Sequence, residues 1–131
     1  MNKAFLIDLD RCIGCFACLI ACQDENDLSA GVHRIQIIAS EKKEKKSKTF
    51  VPKYIFNETT PSIAECTLCP QLLVANKIPA CVANCLTNAL KFGNYEEIND
   101  ATKKYQKLVS FEETKKASIF YVSRKLDEPS N

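Results

Sequence analysis

Within eleven residues near the N-terminus, Cys12-Ile13-Gly14-Cys15-Phe16-Ala17-Cys18-Leu19-Ile20-Ala21-Cys22 carries four cysteines in the pattern C-x2-C-x2-C-x3-C. No other stretch limits so sharply what the chain can fold around. A tight loop can present three thiolates to three corners of one compact inorganic body such as a [4Fe–4S] cube, which suits Cys12, Cys15 and Cys18. By Cys22 the chain has begun a helix and points away, and at this spacing the fourth thiolate serves a second cluster. The run therefore requires further cysteines elsewhere. Cys66-x2-Cys69-x11-Cys81-x3-Cys85 supplies them, which accounts for all eight in the chain. The spacing implies a crossed assignment: one cluster on Cys12, Cys15, Cys18 and Cys85, the other on Cys22, Cys66, Cys69 and Cys81.

Two commoner fates of cysteine clusters are weaker. Cysteines two residues apart make poor disulfide partners, and the sequence context reads as a reducing compartment. Zinc is the stronger competitor, because separated C-x2-C pairs build four-cysteine zinc sites. A third cysteine at the next interval and a fourth after it depart from that plan and favour iron and sulfide. With one histidine against eight cysteines, the ligand inventory favours all-thiolate coordination. His33 reads as a surface or structural histidine.

The 131 residues, 46% of them hydrophobic, are most simply one soluble domain. Covalently held clusters would staple so small a core, and the metal-free chain is expected to fold poorly. The formal charge is +2. Two oxidised cubes on eight thiolates contribute about −4, bringing the loaded protein to about −2. No case for nucleic acid follows. No apolar stretch approaches the roughly 20 residues of a spanning helix, and the N-terminus lacks the apolar core of a signal peptide. The cytoplasm is the expected compartment, unless the chain is exported bound to a partner that carries the signal.

Along the chain, Ala4–Leu9 reads as a strand entering the first cysteine loop. Gly14 suits a backbone that wraps closely round a cluster, and Phe16, Leu19 and Ile20 would shield it from water. Gln23–Asp27 reads as a short helix. Val32–Ala39 reads as a strand with Ile35 and Ile37 on one face. Glu41–Lys48, with five lysines and two glutamates, reads as the solvated tip of a hairpin. Its functional alternative is a docking patch for an acidic surface. Lys53–Asn57 is a second strand leading to the second cysteine set, where Pro70 opens a helix through Gln71 to Lys77. Ala89–Gly93 is a closing strand and turn. Tyr95, Ile98, Thr102, Tyr105 and Val109 fall at helical spacing and predict an amphipathic helix over Tyr95–Val109. Ser118–Val122 is a last strand, and Asp127–Asn131 a frayed end. The expected class is α+β: a ferredoxin-like 2[4Fe–4S] core over residues 1–94, built as a pseudo-twofold strand–cysteine loop–helix–strand repeat. To it are added a hairpin insertion with its lysine loop at 41–48, a helix and strand over 95–123, and a tail at 124–131.

The second cysteine set extends the resemblance beyond a generic ferredoxin. Cys66-Thr67-Leu68-Cys69, the approach Ile78-Pro79-Ala80, then Cys81-Val82-Ala83-Asn84-Cys85 and Ala89-Leu90-Lys91-Phe92-Gly93 form a connected signature. Together with Asp10-Arg11-Cys12-Ile13-Gly14-Cys15, Gly31-Val32-His33-Arg34 and Phe120-Tyr121-Val122, it resembles the iron–sulfur electron-transfer subunits of molybdopterin oxidoreductases in the dimethyl sulfoxide reductase superfamily. The likeness covers Ala4 to about Val122. It implies a non-catalytic subunit that relays electrons to or from a large molybdenum- or tungsten-pterin subunit, with room for a further redox or membrane-anchor subunit and no membrane insertion of its own. Members usually carry four cysteine groups and four clusters, whereas this chain has the first and last groups alone. They also carry proline after the last cysteine, where this chain has Leu86. Leu86→Pro is expected to shift the potential of the cluster served by Cys85, and identical redox titrations of the two forms would refute this.

No phosphate-binding glycine loop and no Ser/His/Asp set is present, so nothing points to catalysis by the chain alone. A free-standing two-cluster ferredoxin shares the chemistry without the obligate partner. So does a small subunit of a hydrogenase, a carbon monoxide dehydrogenase or a tungsten aldehyde oxidoreductase. A structural module holding zinc or redox-idle clusters is the alternative of another class.

Overall fold

The computed structural model describes residues 3–29, 31–42, 47–56, 65–105, 107–114 and 116–123. Its organising element is the strand pair β1 (Lys3–Asp8) and β6 (Ala117–Ser123), which run parallel at the centre of a four-stranded sheet. Strand side chains alternate between faces, and both strands bury both faces. Phe5, Ile7, Ile119 and Tyr121 join one core cluster, while Ala4, Leu6, Phe120 and Val122 join the other. Fully burying a side chain such as Phe5, Leu6 or Ile7 contributes about 1.5–3 kcal/mol each, so this pair is the mechanical base of the molecule.

The edges are β4 (Leu90–Asn94), antiparallel to β1, and β5 (Lys107–Glu113), antiparallel to β6. One sheet face is covered by helix α4 (Tyr95–Thr102), whose Ile98 is buried against Ala4, Leu6 and Phe120. Asn94 and Glu97 form a capping box that starts this helix. The other face carries the cysteine loops, helices α1 (Ala17–Glu25), α2 (Pro70–Val74) and α3 (Ala80–Ala83), and a separate antiparallel hairpin of β2 (Ile35–Lys42) and β3 (Ser47–Tyr54). The protein is therefore mixed α+β.

Several sequence expectations are corrected. The predicted helix over Tyr95–Val109 stops at Thr102. Asn99, Asp100 and Thr102 favour local backbone bonding over helix, and Thr102 Oγ1 donates to the Asn99 carbonyl at 2.6 Å. Val109 lies instead in β5, at a register shift in the β5–β6 ladder, because pairing with β6 outweighs helical periodicity there. Strand β6 is central to the sheet and not part of an added segment. The helix expected over Gln23–Asp27 begins at Ala17, inside the cysteine run. The one expected to reach Lys77 ends at Val74. There Asn76 takes a left-handed φ of 63°, and Lys77 N–H bonds back to the Leu72 carbonyl at 2.9 Å, a Schellman closure with Asn at the left-handed position. The strand placed at Lys53–Asn57 runs from Ser47 to Tyr54. Hairpin pairing extends through Glu41↔Lys48 and Lys42↔Ser47, so the ladder reaches into the lysine-rich stretch. Residues 43–46, like Asn57 and the tail from 124, lie outside the described residues.

Candidate metal centre

Strand β1 delivers the first cysteine loop through a small polar clamp. Asp8, fully buried, accepts the Asp10 N–H at 3.0 Å and lies 3.5 Å from the Arg11 guanidinium. Arg11 in turn reaches the Thr87 carbonyl at 3.4 Å, and Asp8 N–H bonds the Ala89 carbonyl at 2.8 Å. Two distant segments, 8–12 and 85–89, are thereby pinned side by side. Within the loop, Gly14 has φ +71°, and a Cβ there would sit 2.6 Å from the Phe50 ring. Glycine is needed for both backbone hand and space.

Strain concentrates in both loops. Phe16, Leu68 and Cys69 are non-glycine residues with φ of 66°, 67° and 50°. Phe16 and Cys69 are the N-caps of α1 and α2, so each loop turns left-handed as it enters its helix. Such residues cost on the order of 1–3 kcal/mol each and collect at ligand clamps. Turns of this kind also aim successive N–H groups into an anion-binding concavity.

The eight cysteines divide between two cavities. Cys12, Cys15, Cys18 and Cys85 line one, walled by Ile13, Phe16, Ile37, Pro52 and Leu90. Cys22, Cys66, Cys69 and Cys81 line another, walled by Phe5, Ile35, Tyr54, Leu68 and Pro79. Each group draws from both halves of the chain. All eight thiols are free of disulfides. Among the described residues, no three His, Cys, Asp or Glu side chains gather in a way that could hold one metal ion.

The two surroundings differ. Cys15 is exposed, whereas all four cysteines of the second group are buried. In the first, burial raises the Cys85 thiol, but the backbone N–H groups of Ala89 and Thr87, the Thr87 hydroxyl and Leu90 outweigh it and bring the pKa down. The Ala89 N–H lies 3.2 Å from Cys85 Sγ. Burial pushes Cys18 up to about 12, with Cys12 adding to the rise. In the second group, burial raises Cys22, pushes Cys66 up to about 11 and lifts Cys81 further still, while the Arg34 cation opposes the rise at Cys22 and Cys66. Asn26 Nδ2 lies 3.6 Å from both Cys22 Sγ and Cys69 Sγ. Gln71 Nε2 donates to Asn26 Oδ1 at 3.2 Å, which leaves the Asn26 amide N–H groups for the Cys22 carbonyl at 3.0 Å and the two sulfurs. Tyr54 Oη is 3.2 Å from Cys81 Sγ.

Sequence reasoning missed Asn26, Arg34, Tyr54 and Thr87. Asn26 was within reach, since it stands four residues after Cys22 at helical spacing. Nothing local marks Tyr54, whose approach to Cys81 is made by tertiary packing. His33 lines neither cavity, and its Nδ1 is buried without a hydrogen-bond partner among the described residues. No family model matches the chain, and no curated protein matches it either.

Proposed function

We propose that this chain is an electron-transfer subunit holding two [4Fe–4S] clusters, one on Cys12, Cys15, Cys18 and Cys85 and one on Cys22, Cys66, Cys69 and Cys81. The observation that carries the reading is the division of eight cysteines into two cavities with four each. Three features of the cavities suit such a group. Their walls are largely apolar, N–H and O–H donors face the sulfurs, and both loops carry non-glycine residues with left-handed φ. A single zinc needs four thiolates within about 2.3 Å of one point. A cluster of four irons reaches thiolates that stand further apart. When bound, each cluster supplies a reversible one-electron couple. The chain's part is to ligate, exclude water and set the potential.

The finer fold reading follows the same lines. β1 pairs with β4 and β3 with β2, both antiparallel. An approximate twofold axis exchanging two strand–cysteine loop–helix–strand halves produces this pairing, as in a ferredoxin-like core. The sequence signature described above then makes a molybdenum- or tungsten-pterin oxidoreductase the proposed complex. Electrons would cross at the first cluster. Ile13, Phe16, Ile20 and Leu86 are each more than half exposed; Ile13 and Phe16 wall its cavity, and Ile20 and Leu86 line the adjoining groove. Among the described residues, no helix is long and apolar enough to cross a membrane.

One observation favours a free-standing carrier. β5 and β6 complete the main sheet, so the C-terminal segment serves the fold and need not signal an obligate partner. Anaerobic purification of the tagged chain from its native host separates the two. A co-purifying large subunit containing molybdenum or tungsten is the expected result, and iron-loaded protein that elutes alone would remove the subunit reading.

A further inference from the structure

We propose that Tyr54 sets the potential of the second cluster by donating its phenol hydrogen to the sulfur of Cys81, an inference that rests on the two-cluster reading. Tyr54 closes strand β3 and is buried. Its ring stacks on Phe5 with centroids 4.3 Å apart and the planes at 21°, and leans on Phe56 at 6.5 Å. These contacts leave the hydroxyl fixed 3.2 Å from Cys81 Sγ.

The direction of the hydrogen bond follows from the chemistry. Between a phenol and a free thiol either oxygen or sulfur can donate. A cluster-bound thiolate has no proton, so the phenol oxygen must be the donor. Reduction places one more electron on the cluster and its sulfurs. A donor aimed at a sulfur stabilises that more negative state above the oxidised one and raises the potential. The electron comes from the redox mediator or partner, and the proton stays on Tyr54 throughout. Among the described residues no phenol lines the first cavity; Cys85 there is approached by backbone N–H groups, with that of Ala89 at 3.2 Å, and by the Thr87 hydroxyl at 3.7 Å. Tyr54 is thus a positioning and tuning residue for one of two clusters.

The test is a potentiometric titration, followed by electron paramagnetic resonance, of the full chain purified without oxygen. Tyr54→Phe keeps the stacked ring and removes the donor. At unchanged iron content, one couple should become about tenfold harder to reduce, which is about 59 mV lower for a one-electron couple, while the other stays in place. Both couples unmoved, or both moved alike, would overturn the proposal. If the variant loads poorly, replacing the four tyrosines with 3-fluorotyrosine decides the matter. The more acidic phenol is a stronger donor and should move the same single couple upward; no shift, or a downward one, overturns the proposal. Wild-type protein without iron would overturn the two-cluster reading and this inference together, whereas loaded clusters with unmoved potentials overturn the inference alone.

Discussion

Tyr121 illustrates how single side chains tie the sheet to the cysteine-bearing face. Its hydroxyl donates to the Pro52 carbonyl at 2.8 Å. Burial, with the Glu112 carboxylate nearby, holds its pKa well above the usual phenol range. A phenol whose folded value is raised contributes stability that is fully present below its unfolded value of about 10 and is lost as pH climbs toward the folded one. Wild-type protein should therefore weaken above about pH 10, and Tyr121→Phe should flatten that alkaline loss while costing about 1–3 kcal/mol at neutral pH, because the Pro52 carbonyl loses its donor. Denaturant melts at pH 7 and 11 decide this, and equal alkaline slopes in the two proteins would contradict it. At Gly14 the left-handed φ and the Phe50 ring both oppose a side chain. Gly14→Ala should lower iron loading at the first site and spare the second, giving about half the wild-type iron; full loading would sink the argument.

Among the elements, the division of labour is between a sheet that holds itself and helices that do not. α1, α2 and α3 span nine, five and four residues, lengths at which isolated helices are marginal. α1 buries Cys18 and Cys22 alone, and α2 buries nothing. Removing iron should therefore release amide protection in the cysteine segments first, while β1 and β6 keep theirs. Hydrogen exchange of loaded and iron-stripped protein measures this, and uniform loss across both regions would count against it. The same contrast explains what could be read from the chain beforehand. The strands at Ala4–Leu9 and Ser118–Val122 were legible because buried apolar runs leave few alternatives. The strand at Lys107–Glu113 was not, because Tyr95, Ile98, Thr102, Tyr105 and Val109 happen to satisfy a helical period. Only its pairing with β6, which no local pattern shows, selects strand over helix there. The cysteine groups were legible for the opposite reason, since spacing restricts which thiolates can meet. Of the groups around the sulfurs, Arg34 and Tyr54 were not, because they arrive by packing.

At the scale of the whole molecule, long-range ties link the C-terminal hairpin to the cysteine face. Lys116 bonds Glu65 and the Cys66 carbonyl, each at 3.2 Å, and Lys53 pairs with Glu112. All four cysteines of the second group are buried, whereas the first cavity opens through the exposed Cys15 beneath an apolar rim. If electrons cross at that rim as proposed, Ile20→Glu, which places a charge on a surface residue 63% exposed, slows reduction by a redox partner several-fold without changing iron content or either potential. Unaltered exchange rates in stopped-flow mixing would place the exit elsewhere. All of this depends on what the eight thiolates hold. The most direct test is to measure iron, acid-labile sulfide and zinc per chain in protein purified without oxygen. The account predicts about eight irons and eight sulfides, with zinc absent and a brown colour that bleaches with dithionite. Zinc at about two per chain, without sulfide, would contradict it.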